Sequence, residues 1–247
     1  MAMRSPPRIL QIREVLGPAE QGKTLPFKCI AEDGNLYFVK GQQTNRASLW
    51  REWICAHLAR AMGLNIPVFS LVQVDEALVA ELPAEWRQIG CLPAFGSRQQ
   101  HATSWLELGM ASKVPPAVQR DVLVFDWWIH NTDRLEGNSN LLWDQQGDSL
   151  VVIDHNMALV SDFNATEFLQ EHVFARQWPE VADDLMARAQ YIRRLQDALP
   201  AAQVALDTAP EEWMWENSEF DLPANFDVDA ALAVLKRCET DELWRTV

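Results

Sequence analysis

Long hydrophobic runs are the first feature that this sequence lacks. No stretch approaches the roughly 20 consecutive apolar residues of a membrane-spanning helix, and the apolar run within MAMRSPPRIL is too short for a signal peptide. Basic residues are also scarce, since 21 Lys and Arg stand against 35 Asp and Glu and give a formal net charge of -14. A surface of that charge repels phosphate groups, so we expect no membrane contact and no broad contact with nucleic acid.

Cysteine motifs are missing as well. The four cysteines (Cys29, Cys55, Cys91 and Cys238) are scattered and include no C-x-x-C pair. This spacing matches neither a zinc site nor a disulfide framework, and it favours reduced thiols. There is also no G-x-S-x-G motif, so a serine hydrolase has no support. We therefore predict a cytoplasmic protein that uses neither zinc nor a serine nucleophile.

What the chain does have is enough apolar surface to fold. Of its 247 residues 48% are hydrophobic, and 11 are Trp, which allows one large domain or two lobes. Residues 1–82 predict a small β-rich lobe with one helix, 83–113 a hinge or linker, and 114–247 a mainly helical lobe with an embedded β-hairpin. We predict an α+β fold with the layout of a bilobal kinase.

Local patterns give the individual elements. Asp33-Gly34 between two β-prone runs predicts a hairpin, and Gly63 followed by Pro67 predicts a helix end. The predicted strands are residues 9–16, 27–31, 35–40, 67–74 and 77–82, with a further hairpin at 140–154. The predicted helices are residues 47–63, 115–129, 179–199, 210–216 and 228–237.

One stretch, GPAEQGKT at residues 17–24, matches the phosphate-binding pattern G-x-x-x-x-G-K-S/T. A true P-loop leads directly into a helix, whose N-terminal N–H groups surround the phosphates. Here the β-prone residues after Pro26 predict strands instead. We interpret the match as a loop between two strands, in which Gly17 and Gly22 provide an open cover over phosphate.

The most informative polar cluster surrounds the predicted hairpin at 140–154. In an antiparallel hairpin the start of the first strand lies beside the end of the second, so Asn138, Asn140 and Asp154 should share one edge. Asp133, in the preceding loop, has a plausible place beside them. Magnesium prefers carboxylate and amide oxygens, and phosphoryl transfer needs such a metal together with a carboxylate that accepts the proton of the attacking hydroxyl. The cluster offers both parts.

Two further residues predict an ion pair. Lys40 ends a strand on the face of Leu36 and Phe38, and Glu52 lies early in the next helix among small residues. Lys40 alone could instead extend to water, and Glu52 could complement the helix dipole. If the two pair, Lys40 is held ready for the α- and β-phosphates of a nucleotide.

These residues resemble the motifs of a known family. Asn131-Thr132-Asp133-Arg134, Asn138, Asn140-Leu141-Leu142 and Ile153-Asp154-His155 look like the catalytic and metal-binding segments of HipA-like kinases, especially the short single-chain members. They are also similar to motifs of the phosphatidylinositol kinases. Val39-Lys40, Glu52 and the Pro210-Glu211-Glu212-Trp213 segment extend the resemblance over most of the chain.

The resemblance implies a role for each residue. Asp133 would be the catalytic aspartate, Asn138 and Asp154 would hold Mg²⁺, and Lys40, steadied by Glu52, would contact ATP. The loop from Gly17 to Pro26 would cover the phosphates. HipA-like toxins are serine/threonine protein kinases, so the expected partners are ATP and an unidentified protein or small-molecule hydroxyl acceptor.

Two other functions stay open at this point. The chain could be a HipA-like interaction protein with little or no catalysis, whose partner binds the acidic, Trp-rich segment 211–221. It could also be a P-loop ATPase that uses Gly17 to Thr24, with the acids that end the apolar runs at Asp126 and Asp154.

Overall fold

The structure is a computed structural model that describes residues 8–19, 25–217 and 219–245. It confirms an α+β fold. The strands are β1 Ile9–Pro18, β2 Phe27–Ala31, β3 Leu36–Lys40, β4 Phe69–Val74, β5 Ala94–Arg98, β6 Thr103–Trp105, β7 Leu141–Asp144 and β8 Ser149–Val152. The α-helices are α1 Arg46–Met62, α2 Glu76–Glu81, α3 Pro116–Trp128, α4 Ala165–Glu171, α5 Pro179–Ala182, α6 Leu185–Ala198, α7 Pro200–Thr208 and α8 Val228–Lys236.

The chain divides into two compact units that are discontinuous in sequence. The first comprises residues up to Trp53 together with Pro67–Gln100 and Asp207–Phe226. The second comprises Ile54–Ile66, His101–Leu206 and the residues from Asp227 onwards. No helix in the described ranges is long and apolar enough to cross a membrane.

Strands of the first unit form a closed barrel in the order β1-β2-β3-β5-β4. Neighbouring strands are antiparallel except for β1 and β4, which pair in parallel from Ile9↔Leu71 to Ile12↔Val74 and close the barrel. Alternate residues of β2, including Phe27 and Cys29, are buried inside it. Closure leaves no open sheet edge, and the alternately buried residues of β2 face this interior.

The described residues that directly follow the GPAEQGKT match form no helix, which a P-loop requires. Gly17 and Pro18 are still part of β1 and pair with Lys28 and Phe27 of β2, so a strand and not a helix follows the loop. Residues 20–24, which include Gly22, lie outside the described residues. The acid suggested for the same ATPase, Asp126, lies within α3 and not at a strand end. The P-loop ATPase alternative is therefore wrong.

The predicted strand at 77–82 is also wrong, because residues 77–81 belong to α2 and Leu82 is its C-cap. Asp75 caps the helix, since its side chain accepts a hydrogen bond from Ala77 N at 2.8 Å. Ala, Leu and Glu favour helices, and an N-terminal Asp cap stabilises such a short helix by about 1 kcal/mol. The one valine of this stretch, Val79, was not enough to override that local chemistry.

The interval 83–113, predicted as a linker, contains two strands and two 3₁₀ helices, Ala84–Ile89 and Leu108–Lys113. β5 lies between β3 and β4 in the barrel, and β6 pairs with β7. The hairpin β7–β8 is thus part of a three-stranded sheet. Ala-Phe-Gly-Ser-Arg is a poor strand former by itself, and pairing with neighbours on both sides decides its conformation.

The acidic segment 211–221 was expected to be an exposed partner surface, and its described residues are exposed or partly exposed except for Trp213, which belongs to the core of the first unit. Trp213 is fully buried, and its Nε1 donates to the carbonyl of Pro93 at 2.8 Å. Its ring packs edge-on against Trp50 and Trp53, with centroid distances of 6.1 and 6.3 Å. A short 3₁₀ helix, Glu211–Met214, replaces the predicted helix at 210–216.

In the second unit the predicted helix at 179–199 is broken into α5 and α6. Asp184 caps α6, because its side chain accepts hydrogen bonds from Met186 N and Ala187 N. Asp is a strong N-cap residue, so Asp184 starts a new helix where a continuous one was predicted. The hairpin β7–β8 is anchored by Asn65, whose Nδ2 donates to the Leu150 carbonyl and whose own carbonyl accepts from Val152 N, both at 2.9 Å.

Candidate active site

Asp133 lies in the loop that joins α3 to β7. Its side chain is half-buried, and one oxygen, Oδ2, accepts hydrogen bonds from Asn138 Nδ2 at 3.2 Å and from Asn140 Nδ2 at 3.1 Å. Asn140 Nδ2 also reaches the Asp133 carbonyl at 3.3 Å. The structure thus brings these three side chains together, as their positions in the sequence predicted. Two amide donors on one oxygen fix the orientation of the carboxylate.

Asp154 follows β8 at the same end of the hairpin. The N–H of its neighbour Ile153 donates to the Asn140 carbonyl at 3.2 Å. Both Asn140 and Asp154 have left-handed backbone conformations, with φ of +49° and +57°. Asp and Asn tolerate this region better than most residues, and such conformations persist where the surrounding structure holds them.

Arg134 stabilises this end of the hairpin through hydrogen bonds from its buried side chain. Its side chain is fully buried, and Nη1 donates to the carbonyls of Ser139, Asn140 and Ile153 at 3.1, 2.8 and 3.3 Å. These carbonyls belong to the loop after Asp133 and to the strand end before Asp154. One planar guanidinium therefore connects both segments of the candidate site by hydrogen bonds.

The charge of Arg134 is balanced by Asp126 of α3, which is also fully buried. Burial alone raises the pKa of Asp126, but the Arg134 guanidinium and the hydrogen bond from His172 outweigh it and leave that pKa well below its usual range. His172 Nδ1 accepts from Phe174 N at 3.1 Å, so Nε2 carries the proton that is donated to Asp126. Burial lowers the pKa of His172, in keeping with this neutral tautomer.

The oxygen donors of the site fit a magnesium ion. Because Asn138 directs its Nδ2 to Asp133, its Oδ1 is the atom that can serve as a metal ligand. Asp154 adds a carboxylate, and magnesium is commonly held by one or two carboxylates together with substrate phosphates and water. In the ranges that the structure describes, no group of three or more His, Cys, Asp and Glu side chains could hold a metal ion.

Lys40 and Glu52 form a buried ion pair within the first unit. Lys40 ends β3, Glu52 lies in α1, and Lys40 Nζ donates to Glu52 Oε1. Exposure of the two residues is 7% and 2%. The pairing that the sequence left open is therefore present, and Lys40 does not extend to water.

Gly17 has a structural reason to be glycine. Its φ is +121°, and a Cβ at this position would lie 3.0 Å from the ring of Trp86. Any larger residue would be strained in this conformation and would press on the indole. The predicted contact of Gly17 with nucleotide stays a prediction, and Gly22 lies outside the described residues.

Comparison with known proteins places the chain in a family. A family model described as HipA-like kinase matches residues 12–247, nearly the whole chain. The chain belongs to the HipA-like kinase family. The resemblance drawn from the residues around Asp133 and Asp154 is confirmed, and membership supports a phosphotransferase. No curated protein matches this HipA-like chain.

Solved kinase structures are similar to this HipA-like chain at low identity. The Golgi casein kinase aligns over 97% of this chain and 74% of its own, with 11% identity and a TM-score of 0.51. A Helicobacter pylori proinflammatory kinase, CtkA, aligns over 94% of both chains with 11% identity and a TM-score of 0.47. The Golgi casein kinase with Mn/ADP bound gives 12% identity and a TM-score of 0.46 over 98% of this chain and 73% of its own. The first of these likenesses supports a kinase fold for the HipA-like chain.

The buried network of Asp126, Arg134 and His172 was missed by sequence reasoning. Arg134 stands next to Asp133 in a polar loop, where an arginine is usually exposed. The available signal was Asp126, a lone acid within the apolar helix sequence Val-Leu-Val-Phe-Asp-Trp-Trp, because a buried carboxylate needs a cation.

Proposed function

We propose that the protein is an ATP- and Mg²⁺-dependent kinase that transfers the γ-phosphoryl group of ATP to a serine or threonine hydroxyl. The observation that carries this proposal is the carboxylate of Asp133, oriented by Asn138 and Asn140 beside the strand end that bears Asp154. Family membership favours the same reaction. The scattered cysteines, which form no disulfide in the described residues, favour a reducing cytoplasm.

Asp133 would act as the general base. The acceptor hydroxyl oxygen forms a bond to the γ-phosphorus, the bond from that phosphorus to the β–γ bridging oxygen breaks, and ADP leaves with the bridging oxygen. The hydroxyl proton passes to the Asp133 carboxylate. Correct orientation of a general base typically contributes roughly 10²–10⁴-fold to the rate.

Other residues would bind and position the nucleotide. Asn138 Oδ1 and the Asp154 carboxylate would hold Mg²⁺, which when bound neutralises phosphate charge that develops during transfer. Lys40 would contact the α- and β-phosphates, and its pairing with Glu52 fixes its side chain. In this proposal the first unit contributes Lys40 to nucleotide binding, and the second unit carries the residues of the chemistry.

Calorimetric titration of ATP with and without Mg²⁺ tests the nucleotide site. We expect binding to native protein that depends on Mg²⁺ and is lost in Asp154→Asn, because that variant removes the carboxylate ligand. Asp133→Asn serves as the matched control and should still bind, since Asp133 is assigned to the acceptor and not to the metal. Absence of binding to the native protein, or equal binding by Asp154→Asn, would contradict the proposal.

A further inference from the structure

A cavity lies beside the Asp133 loop within the second unit. Its volume is about 260 Å³. One wall is formed by residues of the loop itself, including Thr132 and Leu135, and the other by the segment from Met157 to His172. Thr132 and Arg134 both line it, and adjacent Cα atoms in a chain are about 3.8 Å apart, so the backbone of Asp133 lies beside the cavity, while its side chain is not part of the lining.

The rim of the cavity is negatively charged. Asp162, Glu167 and Glu171 line it, all three are exposed, and none forms an ion pair within the described part of the chain. The cation in the cavity wall, Arg134, is already paired with Asp126. A triphosphate would be repelled here, whereas a Lys or Arg side chain would be attracted.

The volume and the apolar lining of the cavity also favour a Lys or Arg side chain. Small-molecule pockets usually measure about 300–1,000 Å³, so a cavity of about 260 Å³ is better matched to a peptide side chain than to a whole nucleotide. Met157, Val160 and Phe168 supply apolar surface beside the acids. Lys and Arg bury their methylene stems along such surface while the charged end meets carboxylates.

We infer that this cavity binds a basic side chain of a polypeptide acceptor and places a nearby serine or threonine hydroxyl at Asp133. The inference rests on the proposed kinase function and adds the class of its substrate. Bond changes are those of phosphoryl transfer: the hydroxyl oxygen bonds to the γ-phosphorus, its proton goes to Asp133, and ADP leaves.

Peptide phosphorylation tests the inference. The peptides carry one serine in an alanine-rich sequence, with a single arginine moved through the positions on either side, and an arginine-free peptide provides the reference. For native protein we expect kcat/KM at least 10-fold higher for the best arginine peptide than for the reference, mainly through KM. The variant Asp162→Asn/Glu167→Gln/Glu171→Gln should lose most of that preference. The matched control Glu180→Gln/Asp197→Asn/Glu239→Gln removes the same charge from exposed positions outside the cavity and should keep it.

A binding measurement separates the two claims. Fluorescence anisotropy of the labelled best arginine peptide, with alanine in place of serine, reports occupancy of the cavity without phosphoryl transfer. If no peptide is phosphorylated, every arginine peptide of the set is labelled and its binding is measured in the same way. Peptide that binds the native protein and the control but not the cavity variant supports the inference, even if transfer were absent and the kinase proposal failed. Transfer without arginine preference, or equal preference in the cavity and control variants, would overturn the inference and leave the kinase proposal standing. A lack of binding by every arginine peptide would also overturn it.

Discussion

At the scale of single residues, the ion pair of Lys40 and Glu52 shows how much a sequence pattern can reveal. A lysine on the apolar face of a strand and a glutamate among small helix residues both have ordinary explanations, and the sequence could not choose between them. The structure buries both side chains and pairs them. Removing one partner of a buried pair is expected to cost roughly 3–5 kcal/mol, whereas replacing both can be nearly neutral.

A double-mutant cycle tests this coupling. Lys40→Met and Glu52→Gln should each lower the free energy of unfolding in urea at pH 7, because each leaves one polar or charged group in an apolar site. The double variant should be more stable than the sum of the two losses implies, by roughly 0.5–3 kcal/mol. Strictly additive losses would show that the pair contributes no coupling energy.

At the scale of elements, local signals located most helices and strands but not those decided by distant partners. α3 was predicted as 115–129 and is observed as Pro116–Trp128, because its apolar run is long and bounded by proline. β5 was missed because its glycine reflects distant neighbours: a Cβ at Gly96 would lie 2.6 Å from Val72 Cγ1 and 3.3 Å from Tyr37 Cδ1, on the two neighbouring strands. The same holds for the candidate site. Asp133, Asn138 and Asp154 could be predicted from the sequence, whereas the buried network of Asp126, Arg134 and His172 could not.

Arg134 is the residue through which the Asp133 loop, the hairpin and α3 are joined. Arg134→Met should lower the free energy of unfolding by roughly 3–5 kcal/mol, because it leaves the Asp126 carboxylate buried without its cation and removes one hydrogen bond from each of three carbonyls. Arg193→Met, at an exposed position on α6, is the control and should change stability by less than about 0.5 kcal/mol. Equal stabilities of the two variants in urea unfolding would contradict this role.

For the whole molecule, burial of histidines makes stability depend on pH. Burial and, secondarily, the nearby Arg237 lower the pKa of His130 to about 4, although its hydrogen bond to the Val160 carbonyl acts in the opposite direction. Burial also lowers the pKa of His57 to about 4. In the unfolded chain both titrate near 6.5, so between pH 6.5 and 4 the unfolded chain binds more protons and stability falls as the pH falls.

Replacement of His130 should make this acid loss smaller. From pH 7 to pH 4 the native protein should lose up to roughly 3 kcal/mol more through His130 than His130→Gln does, since one pKa unit corresponds to about 1.4 kcal/mol. Urea unfolding of both proteins across this range measures the difference. The other titrating groups are the same in both proteins, so their contribution to the pH dependence cancels in the comparison. Parallel pH profiles would show that His130 does not titrate as its burial requires.

The central claim is that Asp133 is the general base of a phosphotransferase, and transfer from radiolabelled ATP to a serine- and threonine-containing peptide mixture tests it most directly. Native protein should transfer label in the presence of Mg²⁺, and Asp133→Asn, which keeps the shape of the side chain, should be slower by roughly 10²–10⁴-fold with Mg²⁺-ATP affinity retained. Transfer by Asp133→Asn at the native rate, or no transfer by folded native protein that binds Mg²⁺-ATP, would contradict the account.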